Sequence, residues 1–148
     1  MALPGIDPIV GFSFGLDLSG KLVGLFTEVG GLGSETEVIE HKVVDSLGRD
    51  VIRKIPGRTK FNDITLKRGV TAALDMWEWR KLVEDGKIDS ARVNGSVIMY
   101  DQTHSEVARW NFENMWPSKI SGPQMQADSN NYAVEEITIT FDFMWREK

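Results

Sequence analysis

VEEITITFDFMWR, residues 134–146, places Ile137, Ile139, Phe141, Phe143 and Trp145 at every second position, with Glu136, Thr138, Thr140 and Asp142 between them. Successive side chains of a strand point to opposite faces, so this pattern predicts an antiparallel strand with one face in a core and one in water. Glu135 and Glu136 are neighbours and fall on opposite faces, one inner and one outer, which rules them out as a carboxylate pair.

The rest of the chain supplies strands for this one to join. ARVNGSVIMYDQTHSEVARWNFENMW (91–116) predicts two strands around a turn near Thr103-His104, with Ala108, Trp110 and Phe112 on one face. GFSFGLDLSGKLVGLFTEV (11–29) predicts a hairpin turning at Ser19-Gly20, with Phe12, Phe14, Leu16 and Leu18 on one side. SETEVIEHKVVD (34–45) and TKFNDITLKRG (59–69) predict two more strands, and GGLG (30–33) a turn. DSLGRDVIRKIPGR (45–58) has no clean period and carries Gly48 and Pro56-Gly57, so it predicts a long loop in which Pro-Gly-Arg turns the chain. PSKISGPQMQADSNN (117–131) predicts a loop or a short edge strand from its Pro and Asn content.

VTAALDMWEWRKLVEDG (70–86) is the one helical pattern: Ala72, Met76, Trp79 and Val83 recur at helical spacing, with Thr71 as start cap and Gly86 as end cap. Leu74 and Trp77 lie off that stripe and suit a wide apolar face or a partner. The sum is a single domain over residues 1–148, mainly β, an antiparallel sandwich or barrel-like fold of seven or eight strands with one flanking helix.

Composition suits a folded globular domain: 41% hydrophobic and 26% charged, with no cysteine for a disulfide, a thiolate nucleophile or a Cys-ligated zinc. The opening MALPGIDPIVGF lacks a charged region followed by a long apolar run, and no stretch approaches a membrane span, so the expectation is a cytoplasmic product without membrane insertion. The net charge of −5 is uneven. Residues 49–68 hold seven basic side chains and two acidic ones, a local +5 that leaves −10 elsewhere.

Chemistry has little to work with. His41 lies in a polar strand and His104 at a turn tip, with no metal-ligand spacing, so structural or surface roles are expected. GGLGSE lacks the spacing of a dinucleotide loop, and no Gly-x-Ser-x-Gly elbow occurs. No enzymatic activity, cofactor or metal is expected. Of the five tryptophans, Trp79, Trp110 and Trp145 are expected in the core, which leaves Trp77 and Trp116 for an interface.

The basic segment has two readings. It is either a nucleic-acid-binding surface driven by phosphate neutralisation or a face that meets an acidic face of another copy, with Glu28, Glu35, Glu37, Glu40, Asp128, Glu135 and Glu136 as counter-charges. The second is favoured by the acidic body and the lack of an RNA-reading motif.

Four blocks, GLFTEVGGLGSETEVIEHK (24–42), RKIPGRTKFNDITLKRGVT (53–71), LDMWEW (74–79) and WNFENMWPSKISGPQMQADSNNYAVEEITITFD (110–142), closely resemble, in this order, the tail-tube proteins of contractile phages and related contractile injection systems. The resemblance implies an inner-tube protomer whose hexameric rings, walled inside by a continuous β-barrel, stack into a hollow tube. It implies a contractile sheath, a baseplate and spike, and a tape-measure protein as partners, and DNA or protein effector cargo in the lumen. Assembly in the bacterial cytoplasm follows, in a virion tail or an injection particle. The subunit-interface candidates are Arg53, Lys54, Arg58, Lys60, Lys67, Arg68 and Trp116, carried over by position from the resemblance, with Arg49 from the basic segment and Trp77 from off the helix stripe. The lumen-facing candidates are Glu136, Thr138, Thr140 and Asp142, from the wet face of the alternating strand. The alternatives are a secreted type VI-like hexameric ring protein, which would lack persistent tubes, and a small nucleic-acid-binding β module.

Overall fold

The computed structural model describes residues 12–69, 74–122 and 134–148. In chain order the strands are β1 (Ser13–Leu18), β2 (Lys21–Phe26), β3 (Glu28–Gly30), β4 (Ser34–Val44), β5 (Asp50–Phe61) and β6 (Ile64–Gly69). Helices α1 (Asp75–Glu84) and α2 (Ile88–Ala91) follow, then β7 (Val93–Tyr100), β8 (Glu106–Ser121), β9 (Val134–Thr140) and β10 (Phe143–Arg146).

One antiparallel sheet runs in the order β2-β1-β7-β8-β9-β6-β3, with β10 beside β8, and β4 and β5 pair only with each other. The two ends of the large sheet, β2 and β3, are consecutive in the chain. Thr27 joins them and donates its N–H to the Lys67 carbonyl at 2.9 Å, so the sheet curls around a core it faces from both sides. That core holds Leu16, Phe26, Ile64, Leu66, Val97, Phe112, Met115, Ile137 and Ile139 with Met76, Trp79 and Ala91 from the helices.

The 134–146 run lies alongside β8 as the alternation predicts. Trp116 is opposite Thr140 and Glu113 opposite Phe143, so one register continues through a bend at Asp142. Ile137 and Ile139 are buried and Phe141 packs on the core. Past the bend the expectation fails. Phe143 and Trp145 are 48% and 42% exposed while Met144 packs inward, because the bend turns the short end of the strand over. Trp145 is therefore not a core residue.

The β1–β2 hairpin turns at Ser19 (φ 55°) and Gly20 (φ 85°), the left-handed pair that a two-residue turn requires. The β7–β8 turn is held by Asp101, whose Oδ1 accepts from the Thr103 N–H (2.9 Å), the Thr103 hydroxyl (2.7 Å) and the Ser105 N–H (3.0 Å). These bonds, the Thr103 hydroxyl first, hold the Asp101 carboxyl below its ordinary value. Gly31 (φ 85°) sits where a Cβ would stand 2.3 Å from the Asp63 carbonyl oxygen, which accounts for glycine in this turn.

α1 buries Met76 and Trp79, and Trp79 Nε1 donates to the Ala91 carbonyl at 2.7 Å. Its end is a Schellman motif: Lys87 N–H reaches the Leu82 carbonyl (2.8 Å) and Gly86 N–H the Val83 carbonyl (3.0 Å), with Gly86 at φ 77°. The expected cap Thr71 and stripe residue Ala72 lie outside the described residues, as does Asp128.

One segment expected as a loop is a strand, and the described part of the segment expected as a loop or short edge strand, residues 117–121, is strand as well. Residues 50–58 belong to β5, paired with β4 from Val44–Asp50 to Ser34–Phe61. Pro56-Gly57-Arg58 does not turn the chain. The register shifts there, so the triplet forms a bulge that absorbs one extra residue while the strand stays extended. The turn sits instead at Asp45–Arg49, where the Asp45 carboxylate accepts from the Leu47 and Arg49 N–H groups (both 2.9 Å) and Gly48 takes φ 79°. Residues 117–121 continue β8, with Pro117 buried opposite Ile139 at another register shift, a position where proline is tolerated.

Candidate assembly surfaces

Among the described residues the ribbon of β4 and β5 is exposed along nearly its whole length. Its strands are 11 and 12 residues long, about 35 Å at the rise of a strand, and they pack chiefly on each other. Both faces carry uncovered aliphatic side chains. Ile39 (49% exposed) lies opposite Ile55 (40%) on one face, and Val38, Ile52 and Val44 stand out on the other. A lone two-stranded ribbon is marginal in water and an extended apolar face is a contact surface, so this element is built for a partner.

The basic segment takes on a different meaning here. β5 carries the exposed cations Arg53, Lys54, Arg58 and Lys60, and β4 beside it carries Glu35, Glu37 and Glu40. Lys60 lies across from Glu35 and Lys54 across from Glu40, so pairing offsets much of the +5 that the sequence concentrates. Arg53 faces His41, and Arg58 sits in the bulge across from Glu37, with no ion pair formed by either arginine among the described residues. Arg49 is committed to the turn, its Nε 2.7 Å from Asp45 Oδ2. The backbone hydrogen bond from Arg49, followed by its side chain and Leu47, holds the Asp45 carboxyl below its ordinary value.

Arg68 and Glu135, expected at a contact between copies, lie inside the protomer. Each is 5% exposed, and Arg68 Nε donates to Glu135 Oε1 at 2.7 Å. Trp77 Nε1 donates to the other carboxylate oxygen at 2.8 Å, and the guanidinium stands over the Phe26 ring at 5.3 Å. Alternation decides this: Arg68 shares the inner face of β6 with Ile64 and Leu66, and the register sets it against Glu135 on β9. The pair ties α1 to the sheet. Trp77 stays 40% exposed despite that bond, and Trp116 packs on the core edge opposite Thr140.

The other face of β6 and β9 is polar. Lys67 lies between Glu28 (4.0 Å) and Glu136 (3.9 Å), and Thr65 lies opposite Thr138. Glu136, Thr138 and Thr140 alternate with the buried residues of β9 and face away from the core, with Asp142 exposed at the bend.

A second polar surface spans β1, β7, β8 and β10. Asp17 lies opposite Ser96, Ser96 opposite Asn111 and Asn111 opposite Trp145, forming one row across four strands. Ser96 Oγ donates to Asn111 Oδ1 (2.6 Å) and Asn111 Nδ2 to Glu147 Oε2 (2.9 Å). Beside this row Arg109 Nε donates to Glu106 Oε1 (2.7 Å), which holds Glu106 below and Arg109 above their ordinary values. Nothing in the sequence pattern singled out this row, because strand pairing brings its members together from distant positions.

Among the described residues no group of three or more His, Asp or Glu side chains could hold a metal ion, and no helix is long and apolar enough to cross a membrane.

The family model of the T4-like virus tail tube protein gp19 matches residues 10–144. The chain belongs to that family. Among solved structures, this tail tube family member is similar to a chain of the PVC sheath-tube complex of an extracellular contractile injection system in the extended state. The identity is 24%, with 97% of this chain and 93% of that one covered and a TM-score of 0.74. A chain of the anti-feeding prophage cap is similar at 24% identity, 99% and 95% coverage and a TM-score of 0.74. Hcp1 from Flavobacterium johnsoniae shares the fold at 16% identity, 90% and 94% coverage and a TM-score of 0.53. No curated protein sequence matches the chain. The mainly antiparallel fold with a little helix is thus the tail-tube and Hcp fold, as the sequence blocks implied.

Proposed function

We propose that this protein is the inner-tube protomer of a contractile tail or contractile injection system, acting by assembly and not by catalysis. Copies close into hexameric rings and the rings stack into a hollow tube. The observation that carries this reading is the β4–β5 ribbon, which leaves both of its faces uncovered in the protomer and gains a covered surface only on a neighbour. Family membership supports it, as do fold relatives described as a sheath-tube complex, a tube-terminating cap and a baseplate. Sheath, baseplate, spike and tape-measure proteins are the corresponding partners, and assembly occurs in the bacterial cytoplasm.

In the ring, the polar face with Glu136, Thr138, Thr140 and Asp142 lines the lumen and passes DNA or protein cargo, because a hydrated channel needs a polar wall. Lys67 shares that face. Arg53, Lys54, Arg58 and Lys60, with the ribbon's aliphatic residues, make the contacts between copies. A tube is favoured over an isolated type VI-like ring by the greater likeness to the PVC chain than to Hcp1. The nucleic-acid reading loses its driving force once β4 lies beside β5.

Size-exclusion chromatography with negative-stain microscopy of the purified chain tests the proposal. Rings or tubes are expected without added nucleic acid. A protein that stays monomeric at high concentration and shifts only on adding DNA or RNA, in a salt-dependent way, overturns it.

A further inference from the structure

We infer that the cleft along the Asp17–Ser96–Asn111–Trp145 row receives a β5 arginine, Arg53 or Arg58, from a second copy of this chain. The inference rests on the assembly reading above and names the contact within it.

The cleft has a volume of about 320 Å³ and is lined by Asp17, Ser96, Asn111, Glu113 and Trp145, with Arg109 as the cation already in its wall. Asp17 Oδ1 is shielded from water and has no hydrogen-bond donor among the described residues. The neighbouring donors bond elsewhere: the Ser96 hydroxyl to Asn111, one Asn111 amide N–H to Glu147, and Arg109 Nε to Glu106, so Arg109 attracts Asp17 by charge without donating to this oxygen. A shielded carboxylate oxygen without a donor is costly, and the protomer does not relieve that cost itself. Gly95 lets β7 approach β1 closely beside the cleft, since a Cβ there would stand 2.4 Å from the Asp17 carbonyl oxygen.

Trp145 supplies the second half of the receptor. Its indole is exposed at the cleft beside Phe143, and a guanidinium stacks on such a ring while its planar N–H fork meets a carboxylate. The protein already uses this stacking where Arg146 stands 5.4 Å over Trp110.

The complementary group is on the ribbon. Among the described residues none of Arg53, Lys54, Arg58 and Lys60 makes an ion pair, and of these only the two arginines carry a planar fork that can meet a carboxylate while stacking on an indole. A carboxylate oxygen without a donor and two exposed arginines without an ion pair occur in one chain, on elements that scarcely touch each other. A second copy brings them together.

A double-mutant cycle on the full chain tests this, reading the threshold concentration for ring or tube formation by light scattering and microscopy. Asp17→Asn is expected to raise the threshold about tenfold at low salt and less at high salt. The cycle with Arg53→Gln or with Arg58→Gln is expected to be non-additive for one of the two, while Lys60→Gln adds independently. The Asp17→Asn monomer should unfold at the same or a higher temperature, because a shielded charge has been removed. Wild-type assembly by Asp17→Asn, or additivity with both arginines, overturns the inference and leaves the tube reading intact. A loss of monomer stability assigns Asp17 to the protomer's own fold and also overturns it. Failure of the wild-type chain to assemble sinks the tube reading itself.

Discussion

At the scale of single residues, burial separates groups that look alike in the sequence. Lys67 and Arg68 are adjacent cations in a basic run, yet Lys67 stands on a polar face between two carboxylates while Arg68 is held inside with Glu135. A buried pair contributes little net stability when intact, but removing one partner strands the other as an unpaired buried charge. Arg68 already has one nitrogen, Nη2, without a partner among the described residues, so it has little reserve. Glu135→Ala should therefore lower monomer stability by about 3–5 kcal/mol in urea unfolding, and Arg68→Met with Glu135→Leu should recover most of the loss. A cost under about 1 kcal/mol for Glu135→Ala would mean that water reaches the pair and screens it. Alternation along 134–139 puts one of Glu135 and Glu136 on the inner face, and the structure shows it to be Glu135. The partner was not legible, because only the β6–β9 register sets Arg68 against it.

At the scale of elements, the β4–β5 ribbon is where sequence reading went furthest astray. Its central residues read as a loop because Gly48, Pro56 and Gly57 punctuate them and because neither strand alternates cleanly. A strand with one buried face must alternate, whereas a ribbon with no buried face in the protomer is free of that constraint. Irregularity here records a missing partner. Replacing Ile39 and Ile55 together by Ser should leave the unfolding midpoint of the monomer within about 1 kcal/mol of wild type, as expected for exposed sites. The same change should raise the assembly threshold at least tenfold in scattering measurements. Equal losses of fold and assembly would place these isoleucines in the protomer core. The helix was legible because its pattern has to hold against the sheet. Met76 and Trp79 at helical spacing and Gly86 past the end appear where the pattern puts them.

At the scale of the whole molecule, one curled sheet surrounds the core while a long ribbon lies outside it. Ring closure would cover the ribbon and pair exposed edges that otherwise template aggregation. Any partner that binds only the folded chain stabilises it by mass action, so the thermal midpoint should rise with protein concentration. A shift of several degrees over a hundredfold range is expected in differential scanning fluorimetry, and a constant midpoint would show that the monomer gains nothing from its neighbours. Charge also reads differently at this scale. The +5 of residues 49–68 is a property of the linear chain, and antiparallel pairing sets it beside the acids of β4.

The sequence by itself determined the fold class, the β1–β2 and β7–β8 turns, the helix with its end cap, the inner face of 134–141 and, through four ordered blocks, the family. The family rests on the resemblance of those blocks, and the others rest on local periodicity or turn chemistry, which a short stretch contains in full. Only the tertiary structure decided that residues 50–58 form a strand, that Arg68 and Glu135 are buried together, that Phe143 and Trp145 face outward, and that Asp17 lies in a cleft with Trp145. Those outcomes depend on strand register and on which surfaces find a cover, and both arise between segments far apart in the chain.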